Sequence, residues 1–255
     1  MRKSILAIII AMATAFSLSG NSTASYLDGY NEITVYDGVS GPGDWQGVDE
    51  DHEVEPGAAT GQMWDLEGFF QKGADMLMVG GYDFKYGQEG SGDSHIESGD
   101  IFIDTNGDGG DSSQGDYGYE YVLAMDFLSE TYDVIQLDDN VDLTGVYTNF
   151  TFSNPWRYSS GGQQLLADVS FLYDTGLSDA DVGFTGGLHN AVGFNLSFLD
   201  ANSPFTLHFT QECGNDMLKG YGSAPIPEPA TKILFGTGLL GLAGIGRKNL
   251  KRKSA

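Results

Sequence analysis

Cysteine is almost missing from this chain: Cys213 is the only one among 255 residues. One thiol cannot make an internal bridge, so the fold has to be held by its core, with or without a metal ion. Phe205, Leu207 and Phe209 closely precede Cys213 in a core-like strand, so it is expected to be buried and inert. An intermolecular bond is the other use a single thiol allows. Basic residues are nearly as scarce. Between residues 25 and 224 there are only Lys72, Lys85, Arg157 and Lys219, against 35 of the 36 acidic residues, a balance of −31. That density of negative charge excludes nucleic acid, whose phosphates would be repelled. It suits divalent cations and solubility in a hydrated exterior. Catalytic signatures are missing too: there is no His-Glu-x-x-His, no Gly-x-Ser-x-Gly, no phosphate-cradling loop and no Cys/His cluster. The four histidines, His52, His95, His189 and His208, are scattered. A glycosidase needs only two carboxylates, but 35 candidates leave no pair preferred. The expectation is a protein without enzymatic activity.

Long amphipathic helical patterns are also lacking from 26 to 224; what is there is β. Asp100-Ile101-Phe102-Ile103-Asp104 alternates, with Ile101 and Ile103 on one face. Tyr117, Tyr119, Tyr121, Leu123 and Met125 read in phase, and Thr131 to Leu137 follows after a turn around Ser129-Glu130. The pair flanking 105–116 therefore reads as a long-looped hairpin that continues into a meander. Met76 to Val79 is a short strand, with Tyr82 and Phe84 continuing its period beyond Gly80-Gly81. Ala167 to Tyr173 is a further strand. Val192, Phe194, Leu196 and Phe198 alternate strictly, as do Phe205, Leu207 and Phe209, which places His208 on the outward face. Period two implies antiparallel sheets with one buried face each. The fold class expected is all-β, an antiparallel β-sandwich of jelly-roll or immunoglobulin-like type.

Two further segments stand out before the core strands. Asp49 to Glu55 is a charge run that reads as a solvated loop or a metal-attracting lip. Gly61 to Phe70 is aromatic-rich: Trp64, Leu66 and Phe69 or Phe70 are expected to anchor one edge of the core, Trp64 alternatively to stack on a sugar.

One loop stands above the acidic background. Asp104, Asn106, Asp108 and Asp111 place carboxylate and amide oxygens at near-alternate positions with glycines between, as a tight loop needs to aim hard ligands at Ca²⁺. It is not an EF-hand, because position twelve is Gly115 and no helices flank it. Asp116 could complete the shell instead of Asp111, with Asp100 alongside. An acidic hairpin turn is the alternative, since Asn-Gly and Asp-Gly are ordinary turn pairs.

The long apolar runs lie at the two ends. Met1-Arg2-Lys3, the apolar stretch Ile5 to Leu18 and the small residues Ser22-Thr23-Ala24 form a secretory signal peptide over 1–24, a helix-length segment outside the fold. Asn21 stands where a lipid-bearing cysteine would be, which excludes a lipoprotein. At the other end, Pro225-Ile226-Pro227-Glu228-Pro229 must be extended, because proline restricts its own φ and the residue before it. The apolar run from Thr231 to Gly246 would make a transmembrane helix of about 24 Å. Arg247, Lys248, Lys251, Arg252 and Lys253 form a basic stop that holds this end on the cytoplasmic side.

Pro227, Glu228 and Pro229, the glycine-rich run Leu234 to Gly244 and the basic end together resemble the PEP-CTERM sorting tail of exosortase-dependent surface proteins in exopolysaccharide-making Gram-negative bacteria. The resemblance covers 225–255. It implies export, transient anchoring in the inner membrane by the C-terminal helix, and recognition by exosortase, a membrane-embedded cysteine protease. It also implies a final place at the cell surface or outside, with exopolysaccharide or biofilm as the setting. Lys232 departs from the family pattern, but its stem can snorkel to the interface. The blocks Trp64-Asp65-Leu66-Glu67, Gly99 to Asp104 and Glu212 to Asp216 also resemble segments of uncharacterised exosortase-dependent proteins. For residues 25–224 three readings follow: a non-enzymatic surface or matrix protein, a calcium-dependent carbohydrate-binding module, or a secreted glycan hydrolase.

Overall fold

A computed structural model describes residues 25–36, 50–51, 54, 58–90, 94–110, 114–148 and 151–226. The signal segment 1–24, Asp111, the Pro-Glu-Pro motif and the basic stop lie outside the described residues. So does most of the 49–55 charge run. Among the described residues no helix is long and apolar enough to cross a membrane.

The strands in chain order are β1 (Asn31–Glu32), β2 (Leu66–Lys72), β3 (Asp75–Gly80), β4 (Gln88–Glu89), β5 (His95–Ile96), β6 (Ile101–Asp104), β7 (Tyr121–Asp126), β8 (Thr131–Gln136), β9 (Asp142–Thr144), β10 (Arg157–Ser160), β11 (Gln163–Ser170), β12 (Leu172–Ser178), β13 (Leu188–Asn195), β14 (Pro204–Thr210) and β15 (Met217–Ser223). A four-residue helix, α1 (Asp179–Val182), precedes β13. One sheet runs β1-β2-β3-β13-β12 and the other β11-β8-β7-β6-β14-β15; β9 with β10 and β4 with β5 form two small ribbons. The pairings in both large sheets are antiparallel.

Alternation sends one set of side chains from each large sheet into a shared core. Leu66, Phe69, Met76, Met78, Val192 and Phe194 come from the first sheet and Ile101, Ile103, Leu123, Val134, Leu207 and Phe209 from the second. This is a β-sandwich. The segment after β1 joins the two sheets along one side: Ile33 N donates to Phe69 O, and Val35 N donates to Lys219 O on β15. The β6–β7–β8 meander is present as expected, with Ile101 opposite Leu123 and Leu123 opposite Val134. Cys213 is a buried free thiol in the turn after β14.

Several expectations need correction. His208 is fully buried rather than outward-facing: Nε2 lies 3.0 Å from Pro155 O, and its ring packs against Tyr119 and Phe102. The reason is a second, smaller core on the far side of this sheet, built from Phe102, Tyr119, Val122, Ile135 and Leu137 under Val141, Leu143 and Tyr158. One buried face per sheet was therefore too few. Burial, with Lys219's charge behind it, lowers the His208 pKa to about 3, so the ring stays neutral. Tyr119 joins that second core, not the phase of Tyr121, because Tyr117 (φ 57) and Gly118 (φ 75) turn the chain out of the pleat. Tyr82 and Phe84 are buried as expected but lie in a turn beyond β3. The single strand at 167–173 is instead the junction of β11 and β12, broken at Phe171, which turns inward against Phe127. Trp64 is only half-buried; Leu66 and Phe69 anchor that edge of the main core, while Phe70 packs on the sheet's outer face.

Candidate functional site

The loop after β6 folds back on Asp104. Its Oδ1 accepts from the backbone N–H of Asn106 (2.9 Å) and Gly107 (2.6 Å), and Oδ2 accepts from Gly109 (3.1 Å). Asn106 points its Oδ1 at Asp108 N and donates Nδ2–H to Glu120 Oε1 at 2.6 Å. Thr105 gives both its N–H and its hydroxyl to Glu120 Oε2. Asp104, Asp108 and Glu120 each present an oxygen within 4.8 Å of the others'. Glu120 thus joins Asp104 and Asp108 at this point, with Asn106 hydrogen-bonded to it, and residue spacing along the loop could not reveal it. Asp116 is turned to Gly118 N at 2.9 Å. Asp100 does not stand alongside: it is buried, with Oδ1 accepting from Met125 N (2.7 Å) and Oδ2 from Tyr158 N (2.8 Å), so it staples β7 to β10. Burial raises its pKa to about 6 against the pull of those two bonds.

A second cluster was not foreseen. Glu67 and His189 project from β2 and β13 on the outer face of the first sheet, and both are fully buried. His189 Nδ1 lies 2.7 and 2.8 Å from the Glu67 oxygens, and Nε2 lies 3.1 Å from Asp179 Oδ1 at the start of α1. Gln62 donates to Glu67 Oε1 at 2.6 Å. Asp65 and Asp51 bring carboxylate oxygens within 4.8 Å of Glu67's, and Asp51 also accepts from Thr185. Burial, reinforced by the charge of Asp65, pushes the Glu67 pKa up to about 9. Oxygens with an imidazole behind them are a donor set for a divalent cation. A proton held between Glu67 and His189 satisfies the same geometry without one. The sequence signal lay in Trp64-Asp65-Leu66-Glu67, where acidic residues interrupt a core-like run.

Of the three blocks singled out in the sequence, the first meets the third, and the second meets the residues just before the third. Leu66 N donates to Asp216 Oδ2 (2.6 Å), Gln211 Nε2 to Trp64 O (2.6 Å), and Gly99 N to Thr210 O (3.1 Å). A Cβ on Gly99 would lie 2.5 Å from both Thr210 O and Trp156 O, so the close approach requires glycine there. These residues knit the start of β2 to the end of β14.

A cleft of about 940 Å³ opens where the β4–β5 ribbon meets the β7–β8 turn. Its apolar lining includes the buried Phe84, Met125 and Phe127 and the exposed Leu128. Two of the four basic side chains of residues 25–224 line it, each beside a carboxylate: Lys85 Nζ to Glu130 at 2.6 Å and Arg157 to Glu97 at 2.5 Å.

At the end of the described chain, Ala224 is buried and Ile226 is exposed. A family model for the PEP-CTERM protein-sorting motif matches residues 225–248, so the tail carries that motif. No curated protein and no solved structure matches the chain.

Proposed function

We propose that this chain, which carries a PEP-CTERM motif and with it the signal for export and for C-terminal membrane anchoring before exosortase processing, is a non-enzymatic surface or extracellular-matrix protein associated with exopolysaccharide. The observation that carries the reading is the sorting motif at 225–248, immediately after a β-sandwich that ends with Ala224 buried. A disulfide-free sandwich with a balance of −31 suits a hydrated matrix, where self-repulsion keeps copies apart.

In the producing bacterium, deleting the exosortase gene or replacing Pro227 and Pro229 by Ala is expected to leave the tail uncleaved and the chain in the membrane fraction. Intact-mass measurement of the C-terminus reads this directly. Normal trimming in the deletion strain would remove exosortase from the account.

A second reading, calcium bracing of the carbohydrate-binding sandwich, is favoured by the convergence of Asp104, Asp108 and Glu120. Excess Ca²⁺ is then expected to raise the melting temperature, since 100 times Kd stabilises by about 2.7 kcal/mol. Glu120→Gln should abolish most of that rise. An unchanged melting temperature in millimolar Ca²⁺ rules the braced version out.

A further inference from the structure

We infer that the cleft between the β4–β5 ribbon and the β7–β8 turn binds a neutral oligosaccharide, laid across the Tyr86 ring and between two carboxylate–cation pairs. A sugar ring offers an apolar C–H face and an edge of hydroxyls that both donate and accept. A matching site needs an exposed flat aromatic face, and polar groups of both kinds held in place before the ligand arrives. The cleft has these parts. Tyr86 lines it and is 63% exposed. Its backbone N–H and that of Lys85 both donate to Asp83 Oδ1 at 3.0 Å, so the turn presenting the ring is set from beneath. Asp83 is itself tied to β12 by the Tyr173 hydroxyl at 2.9 Å.

The polar rim is equally preset. Arg157 stacks on Trp156 at 5.4 Å and bonds Glu97, so its remaining N–H groups and the Glu97 carboxylate stand side by side as donors and acceptor. Lys85 lines the cleft with its ammonium held by Glu130 just outside the lining. The volume of about 940 Å³ falls within the range of about 300–1,000 Å³ typical of ligand sites.

Charge selects a neutral ligand. Both cations already have carboxylate partners, and Glu89 and Asp126 add further negative charge to the lining. A polyanionic glycan would meet a site without spare positive charge on a strongly acidic protein. The inference rests on the matrix-association reading only for where such a glycan comes from.

The test uses the full chain in mild detergent, titrated calorimetrically with short neutral and uronate-containing oligosaccharides. Binding of neutral oligosaccharides is expected, weakened about tenfold or more by Tyr86→Ala and by Arg157→Gln. The melting temperature of Tyr86→Ala should match the parent, because the ring is exposed. The proposal is overturned by an absence of neutral-sugar binding, by binding indifferent to both substitutions, or by preference for the uronate series. C-terminal trimming of Tyr86→Ala in the producing bacterium reports on the sorting reading separately, since the cleft takes no part in it.

Discussion

Phe209→Ala is expected to lower the stability of the sandwich by about 3–5 kcal/mol, the cost of an aromatic truncated in a core that cannot close around the void. Phe209 is fully buried on β14, which lies between β6 and β15, and its ring meets Phe84 edge-on at 5.6 Å. Phe84 in turn meets Tyr82 at 5.8 Å and lines the cleft. The loss is therefore twofold: apolar area returns to water, and an edge-to-face pair disappears. For a domain of this size the melting temperature should fall by roughly 10 °C. Thermal unfolding of the full chain in detergent measures it. Leu128→Ala, at a residue 70% exposed, is the control and should shift stability by less than about 0.5 kcal/mol. A small effect at Phe209 would mean that the two sheets do not share one core.

Glu67→Gln is expected to stabilise the protein in alkaline solution while leaving it little changed in mild acid. Burial beside Asp65 pushes the Glu67 pKa up to about 9, whereas an unfolded glutamate titrates near its ordinary value of about 4.3. Between those values the folded state holds a proton that the unfolded state has released. Stability from this group is thus fully present below about pH 4, and it is lost as pH rises toward 9. Glutamine keeps the shape and some of the hydrogen bonding to His189 but has no proton to lose. At pH 5 the two should lie within about 1 kcal/mol, and from there toward pH 9 the variant's advantage should grow by up to about 1.4 kcal/mol per pH unit. Unfolding at both pH values, with a chelator present to exclude cation binding, decides the matter. Parallel curves for parent and variant would show that Glu67 does not titrate in this range.

The strand pattern was legible wherever one face of a strand is apolar and the other polar. Phe205, Leu207 and Phe209 on β14, and Ile101 and Ile103 on β6, needed nothing beyond period two. The pattern failed where the second face is also covered. His208 looked outward because nothing local announces the β9–β10 ribbon and the 151–156 segment that close over it. It failed again where backbone geometry breaks the pleat, at Tyr117 and Gly118, and at Phe171 between two edge strands. The Asp104 loop was visible as a turn rich in hard oxygens. Its partner Glu120 was not, since it comes from across the hairpin.

The sequence alone determined what depends on a local run of residues. The proline-rich segment, the apolar tail with its basic stop and the −31 balance of the intervening residues need no partner elsewhere in the chain to be read. Only the tertiary structure decided what depends on distant residues meeting. It brought Glu67 to His189, 122 positions away, and set Asp100 between β7 and β10. It also put Tyr86 and Arg157 on one cleft. In a sandwich of antiparallel strands the contacts that build sites run across sheets and between them. Periodicity along one strand reports which face a residue takes, not what that face will meet.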